Sequence, residues 1–218
     1  MKEKIIILTP VYNDWKSLIK LLAKINYIFT TQIKKKFDLI VVDDHSSEKI
    51  NFLKLKFKNV NKLTLISLSK NFGSQRALAI GLRYINNFYK NKFKVILIDS
   101  DGQDNPKGII EMFKKIKKFP EFPIMVNRGQ RKEPFWFKFF YETYGLFINI
   151  FAGKKIRFGN YSLLNSKNLK KISNNQDLWS AFPPTVSNNI KELKYITMDR
   201  EKRYVGESKM SFLKLIGH

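Results

Sequence analysis

Cysteine is absent from the 218 residues, which excludes disulfides, thiolate metal sites and cysteine nucleophiles. Histidine is nearly absent: His45 and His218 alone are too few for a histidine-built metal centre. No run approaches the ~20 apolar residues needed to span a bilayer. Met1-Lys2-Glu3-Lys4 leads straight into a strand-like run and not into a signal peptide. These absences predict a cytoplasmic protein, or one held peripherally on the cytoplasmic face of a membrane. No internal repeat or low-complexity linker interrupts the chain, and its length suits one domain whose core needs no staples.

Acidic residues are scarce, 18 against 41 Lys and Arg, for a formal net charge of +23. A field of that size attracts nucleic acid, anionic membrane or acidic substrates alike. The basic residues are mostly Lys, and Ile, Asn and Phe are plentiful, a mixture that biased base composition produces. Much of the charge is therefore solvated surface. What is left over points to an anionic membrane surface ahead of nucleic acid.

Short apolar runs alternate with helix-length amphipathic stretches, the pattern of a mostly parallel sheet flanked by helices. Residues 4–9, 37–43, 63–68, 93–99 and 123–127 read as strands, and 193–198 as a later one. Residues 15–29, 74–88 and 106–118 carry apolar side chains at helical spacing, the last with Pro106 in its first turn. From Arg200 the sequence predicts a basic loop and a short helix. In such sheets ligands bind beyond the carboxyl ends of the strands.

Three of those ends are chemically specific. After the fourth strand come Asp99-Ser100-Asp101-Gly102-Gln103-Asp104; two carboxylates one residue apart can hold a hard divalent cation and leave positions open for diphosphate oxygens. An acidic turn with no ligand is the plainer reading of that segment taken alone. Pro10-Val11-Tyr12-Asn13 follows the first strand, and Asp43-Asp44-His45-Ser46 closes the second. Tandem acids there suit the donor groups of a base or ribose, and helix capping by Asp44 or Ser46 is compatible with that role. Asn71-Phe72-Gly73-Ser74-Gln75-Arg76 places small residues before a helix, where backbone can approach a ligand closely.

In this order, together with Gly129-Gln130-Arg131, these motifs resemble family 2 glycosyltransferases of the GT-A fold. Within that family the likeness is to the polyprenyl-phosphate and dolichyl-phosphate sugar synthases, whose Arg-x-x-Gly-x-Ser-Lys element is similar to Arg203 through Lys209. The resemblance covers roughly residues 4–215. It implies a Rossmann-like, mostly parallel sheet with a small C-terminal acceptor-side extension. A single domain, 1–218, would bind nucleotide sugar through 1–128 and acceptor through 129–218. Pro10, Tyr12, Asn13, Asp43, Asp44, Asn71, Gly73 and Arg76 would face the donor nucleotide, with Asp99 beside them. Asp101 and Gln103 would hold Mg²⁺ or Mn²⁺, and Arg131, Arg203, Ser208 and Lys209 would contact phosphates of donor or acceptor. The chain departs from the subgroup at Tyr161-Ser162-Leu163, where relatives show Phe-Arg-Leu, and the C-terminal membrane helices that many relatives carry are not expected within these 218 residues.

A sugar hydroxyl acceptor needs a general base, whereas a lipid phosphate is already an anionic nucleophile. Beyond Gly153 the acids are Asp177, Glu192, Asp199, Glu201 and Glu207, with no Glu-Asp pair and no Gln-x-x-Arg-Trp element. That scarcity favours polyprenyl phosphate as acceptor. A saccharide hydroxyl, with Asp177 as base, is the alternative. The aromatic residues 134–151 suit an interfacial helix that admits a lipid-linked substrate; a core helix or a subunit interface suits them too. The resemblance leaves room for a homo-oligomer or a membrane-protein partner, and for a member that binds nucleotide sugar without turnover. A nucleic-acid module fits poorly, since acidic strand ends repel a polyanion.

Overall fold

The computed structural model describes residues 3–48, 50–51, 55–129 and 156–206. The aromatic stretch 134–151, Arg131, Ser208 and Lys209 lie outside them. The described chain forms a seven-stranded sheet in the order β3-β2-β1-β4-β6-β5-β7. Its strands are β1 (Lys4–Val11), β2 (Phe37–Asp43), β3 (Val60–Ser67), β4 (Phe93–Leu97), β5 (Ile124–Arg128), β6 (Phe158–Asn165) and β7 (Lys194–Met198). All run parallel except β6, which pairs antiparallel with both β4 and β5.

The helices are α1 (Trp15–Ile28), α2 (Ser74–Phe88), α3 (Gly108–Lys118), α4 (Ser166–Ser173) and α5 (Phe182–Asn189). They cover both faces, so the central strands are apolar on both sides and read as continuous runs. Alternate residues of one strand enter different cores. Ile5, Ile7, Leu39, Val41 and Ile96 pack with Trp15, Leu18, Leu22, Ile109 and Met112 beneath α1 and α3. Ile6, Leu8, Ile40, Val42, Val95 and Leu97 pack with Leu78, Leu82, Leu169, Phe182 and Val186 beneath α2, α4 and α5. Each helix meets the sheet through residues three and four apart, as in Leu18, Leu21, Leu22 and Ile25 of α1.

The strands and helices expected up to residue 128 are present, 37–43 and 74–88 with the expected ends and the others with ends shifted by at most three residues. Helix α3 opens at Gly108 and not at Pro106. The Asn105 side chain accepts the Lys107 amide at 2.9 Å, and the Asn105 carbonyl accepts that of Gly108 at 2.9 Å. This turn holds Pro106 outside the helix. Residues 156–190, which carry no clear pattern, supply β6, α4 and α5. Residues 200–206 are irregular.

Candidate functional site

The registers Val11 with Asp43, Asp43 with Ser67, and Leu8 with Leu97 align the carboxyl ends of β1 to β4 at one edge. Because β6 runs the other way, its first residues reach that same edge. There they meet the carboxyl end of β5, and β7 ends beside β5 in turn. Strand polarity alone thus collects the loop Asp99–Asp104, Asn160 of β6, Arg128 of β5 and the segment after β7.

Within the loop, the Gln103 amide donates to Asp101 Oδ1 at 2.9 Å, a local turn that fixes the carboxylate. Gly102 between them has φ of 82°, and a Cβ there would lie 2.3 Å from the Tyr204 ring. Glycine is required on both counts. The segment after β7 lies along the loop: Glu201 N–H donates to the Gln103 carbonyl at 2.9 Å, and Tyr204 N–H to the Asp101 carbonyl at 3.1 Å. Arg200 donates to Gln103 Oε1. Arg203 donates to Asp101 Oδ2 at 3.2 Å and binds Asp14 with its other terminal nitrogen.

Asp14 occupies the N-cap position of α1 yet makes no side-chain cap bond. A residue type that ordinarily satisfies helix amides here pairs with Arg203 instead.

Behind the loop, Asn160 donates to Asp99 Oδ1 at 3.2 Å. Burial raises the pKa of Asp99, with the Asp101 charge adding to it. Asp104 is pushed up to about 7 by burial and then by Asp99, while Arg128 and Arg200 pull the other way. Two carboxyls that resist ionisation, set among arginines, form a charge arrangement typical of functional sites. A cavity of about 10 Å³, room for roughly one water, lies between Asp104, Arg128, Tyr161 and Arg200.

The other end of the edge is bound together by short polar contacts. Asn13, at φ of 48°, receives the Ser47 amide on its side chain at 2.8 Å and donates its own amide to Ser46 Oγ at 2.9 Å. Asp43 Oδ1 accepts the Ser46 amide at 2.9 Å. Asp44 is buried and accepts the Phe72 and Gly73 amides at 2.7 and 2.9 Å, so it ties the β2 loop to the start of α2. Asn71 accepts the Gly73 amide at 3.1 Å. Pro10 is buried and pairs with Val42, and Tyr12 is exposed beside it. Arg76 is exposed with its guanidinium 5.8 Å from the Trp179 ring, and Asp177 is exposed on the turn Gln176–Trp179.

The structure thus groups Asp99, Asp101, Gln103 and Arg203 in one cluster, and Asn13, Asp43, Asp44 and Gly73 in another along the same edge. Asp14, Gln75, Arg128, Asn160, Arg200 and Tyr204 join them without a role having been legible in sequence. No signal in the sequence could have found Asn160, because the strand that carries it was not legible there. The carboxylate of Asp101 and the amide oxygen of Gln103 are hard donors that suit Mg²⁺ or Mn²⁺. Among the described residues no three acidic or histidine side chains converge to hold a metal alone. A cation at this loop would draw further ligands from a bound diphosphate and from water.

In the comparisons with known proteins, an uncharacterized glycosyltransferase of Synechocystis, sll0501, is 25% identical over 99% of this chain and 67% of its own length. The undecaprenyl-phosphate 4-deoxy-4-formamido-L-arabinose transferase of Proteus mirabilis is 26% identical over 98% of this chain and 65% of its own. The chain therefore spans about two-thirds of the length of these curated relatives. Among solved structures, S. aureus TarS 1-349 in complex with UDP-GlcNAc superposes with a TM-score of 0.57 at 15% identity, covering 94% of this chain and 60% of that one. That likeness establishes a GT-A architecture. The model of Glycosyl transferase family 2 matches residues 6–176, most of the chain, and the protein belongs to that family.

Proposed function

We propose that this chain transfers a hexosyl group from a UDP- or GDP-linked sugar to a polyprenyl phosphate, with inversion and with Mg²⁺ or Mn²⁺. The observation that carries the reading is the single sheet edge at which Asp43, Asp99, Asp101 and Gln103 stand with Arg200 and Arg203. Carboxylates and hard oxygens serve a nucleoside and a cation, and guanidinium groups serve phosphates. Family membership agrees with it, and so does the activity for which the Proteus relative is named.

In this reading residues 1–128 form the donor part and 129–218 the acceptor part. Asp101 and Gln103 would hold the cation, which when bound would offset the charge gathering on the leaving diphosphate. Asp43 accepts hydrogen bonds from the nucleoside, and Asp99 orients the donor next to it. Arg203 leaves Asp101 for the donor phosphates as they arrive. An oxygen of the acceptor phosphate attacks the anomeric carbon, and the bond from that carbon to the diphosphate breaks. No proton need be removed, which fits the shortage of acids after Gly153. Among the described residues no helix is long and apolar enough to cross a membrane, and the net charge of +23 suits attachment to an anionic membrane face.

A second reading sends the sugar to a saccharide hydroxyl. It is favoured by Asp177, exposed on a turn whose Trp179 packs against Phe72 with ring centroids 6.2 Å apart. That contact puts an exposed carboxylate near Asn71–Gly73 and the start of α2. Labelled UDP- and GDP-sugars, offered with vesicles carrying polyprenyl phosphate or with soluble glycans, separate the two. Label in the lipid phase supports the first reading; label confined to soluble glycan, and lost in Asp177→Asn, supports the second.

A further inference from the structure

Asp99 is the end of a chain of hydrogen bonds that starts at an element far along the sequence. The backbone N–H of Phe182, the first residue of α5, donates to Gln75 Oε1 at 3.0 Å. Gln75 Nε2 donates to Asn160 Oδ1 at 3.2 Å. Asn160 Nδ2 donates to Asp99 Oδ1 at 3.2 Å. Asn160 is buried on β6, and Gln75 lies in the first turn of α2.

The direction of this chain is not arbitrary. A backbone N–H can only donate, whereas a side-chain amide presents a donor on one side and an acceptor on the other. The Phe182 amide therefore obliges Gln75 to turn its oxygen toward α5 and its NH₂ toward Asn160. That in turn obliges Asn160 to turn its oxygen toward Gln75 and its NH₂ toward Asp99. Any flip along the way would set two donors or two acceptors face to face in a poorly hydrated place, at a cost well above that of an ordinary bond.

From this geometry, and on the functional reading above, we infer that Gln75 and Asn160 are positioning residues for glycosyl transfer. They form a polarity relay by which α5 holds one oxygen of Asp99, leaving the other to the donor sugar. The relay joins α5 and β6, in the acceptor part, to the donor aspartate. A displacement of α5 would then be felt at Asp99 through two amides and no main-chain movement.

The relay can be inverted without changing shape. In Gln75→Glu the carboxylate accepts from Phe182 and also faces Asn160 with an acceptor, so the Asn160 amide flips and turns its oxygen on Asp99. Gln75→Met keeps the volume but imposes no orientation. The relay predicts that the isosteric change is the more harmful: kcat lower in Gln75→Glu than in Gln75→Met, and lower than wild type by about tenfold or more. The dissociation constant for nucleotide sugar, by calorimetry, should stay within about threefold in both. A kcat for Gln75→Glu equal to or above that of Gln75→Met would overturn the proposal.

A second measurement does not depend on turnover. In ¹⁵N spectra of side-chain amides, the Asn160 NH₂ pair should shift when Asp99 is changed to Asn, and should not shift with that change in a Gln75→Glu background. Equal shifts in both backgrounds would refute the relay. Absence of any sugar transfer by the wild-type chain would count against the functional reading instead, and the spectra would still decide the relay.

Discussion

Arg203 bridges Asp14 and Asp101, donating to Asp101 Oδ2 at 3.2 Å, so an arginine from the segment after β7 neutralises the carboxylate proposed above to hold a cation. The segment is held to the loop by main-chain bonds from Glu201 and Tyr204 as well. On the functional reading proposed above, a cation at Asp101 would compete with the guanidinium for that oxygen.

Removing the competitor should help the metal and harm the donor. Mn²⁺ titration of nucleotide-free Arg203→Ala, followed by electron paramagnetic resonance, is expected to show roughly fivefold tighter binding, the equivalent of about 1 kcal/mol for a partly exposed pair. Nucleotide-sugar affinity measured with Mn²⁺ present should fall. Weaker Mn²⁺ binding in the variant would show that Arg203 supports the cation and does not oppose it.

Gly102→Ala tests the packing of that segment. The positive φ of 82° costs about 1 kcal/mol for a residue with a Cβ, and the Tyr204 ring must also move. Urea denaturation should reveal a loss of about 2–3 kcal/mol. Adding Tyr204→Ala should recover the steric part and leave the backbone part, a non-additivity expected only if the two residues touch.

Asp44 makes stability depend on pH in an unusual sense for a carboxylate. Burial raises its pKa despite the Phe72 and Gly73 amides, which pull it down. The folded state thus binds the proton more tightly than the unfolded chain. Its contribution is complete below the ordinary carboxylate value of about 4, and is lost as pH rises through the folded value. Asp44→Asn keeps a constant penalty for the amide it cannot accept, but no longer titrates here. The gap between variant and wild type should move in the variant's favour between pH 3.5 and 7. A gap that widens over that range would mean that the two amide bonds outweigh burial.

Gly81→Ala probes the fit of α2 on the sheet. A Cβ there would sit 2.5 Å from Leu8 Cδ1 and 3.1 Å from Val42 Cγ2, both buried in the same core. Overpacking should cost about 1–3 kcal/mol, against a gain of about 1 kcal/mol in helix propensity. Thermal unfolding that is unchanged or raised would mean that Leu8 changes rotamer without penalty.

Much of the first half was legible residue by residue. Strands such as Ile5 to Leu8 and Ile40 to Val42 are apolar at every position because helices cover both faces, and their polar ends stand out against that background. Strand β6 was not legible. Gly159, Asn160 and Ser162 weaken its pattern, and its burial comes from being inserted between β4 and β5.

The sequence by itself determined the local chemistry: which strand ends carry acids, where Gly73 leads into a helix, and which family's motifs stand in order. These depend on φ, on hydrogen-bond inventory and on near neighbours, which are properties of short segments. Tertiary structure alone decided that Asn160 would face Asp99, that Arg200 would meet Gln103, and that Asp14 would bind Arg203 instead of capping its own helix. Those partners are far apart in the chain, and the antiparallel insertion of β6 and the return of the chain after β7 bring them to one edge. No pattern in a segment encodes which strand will lie beside it.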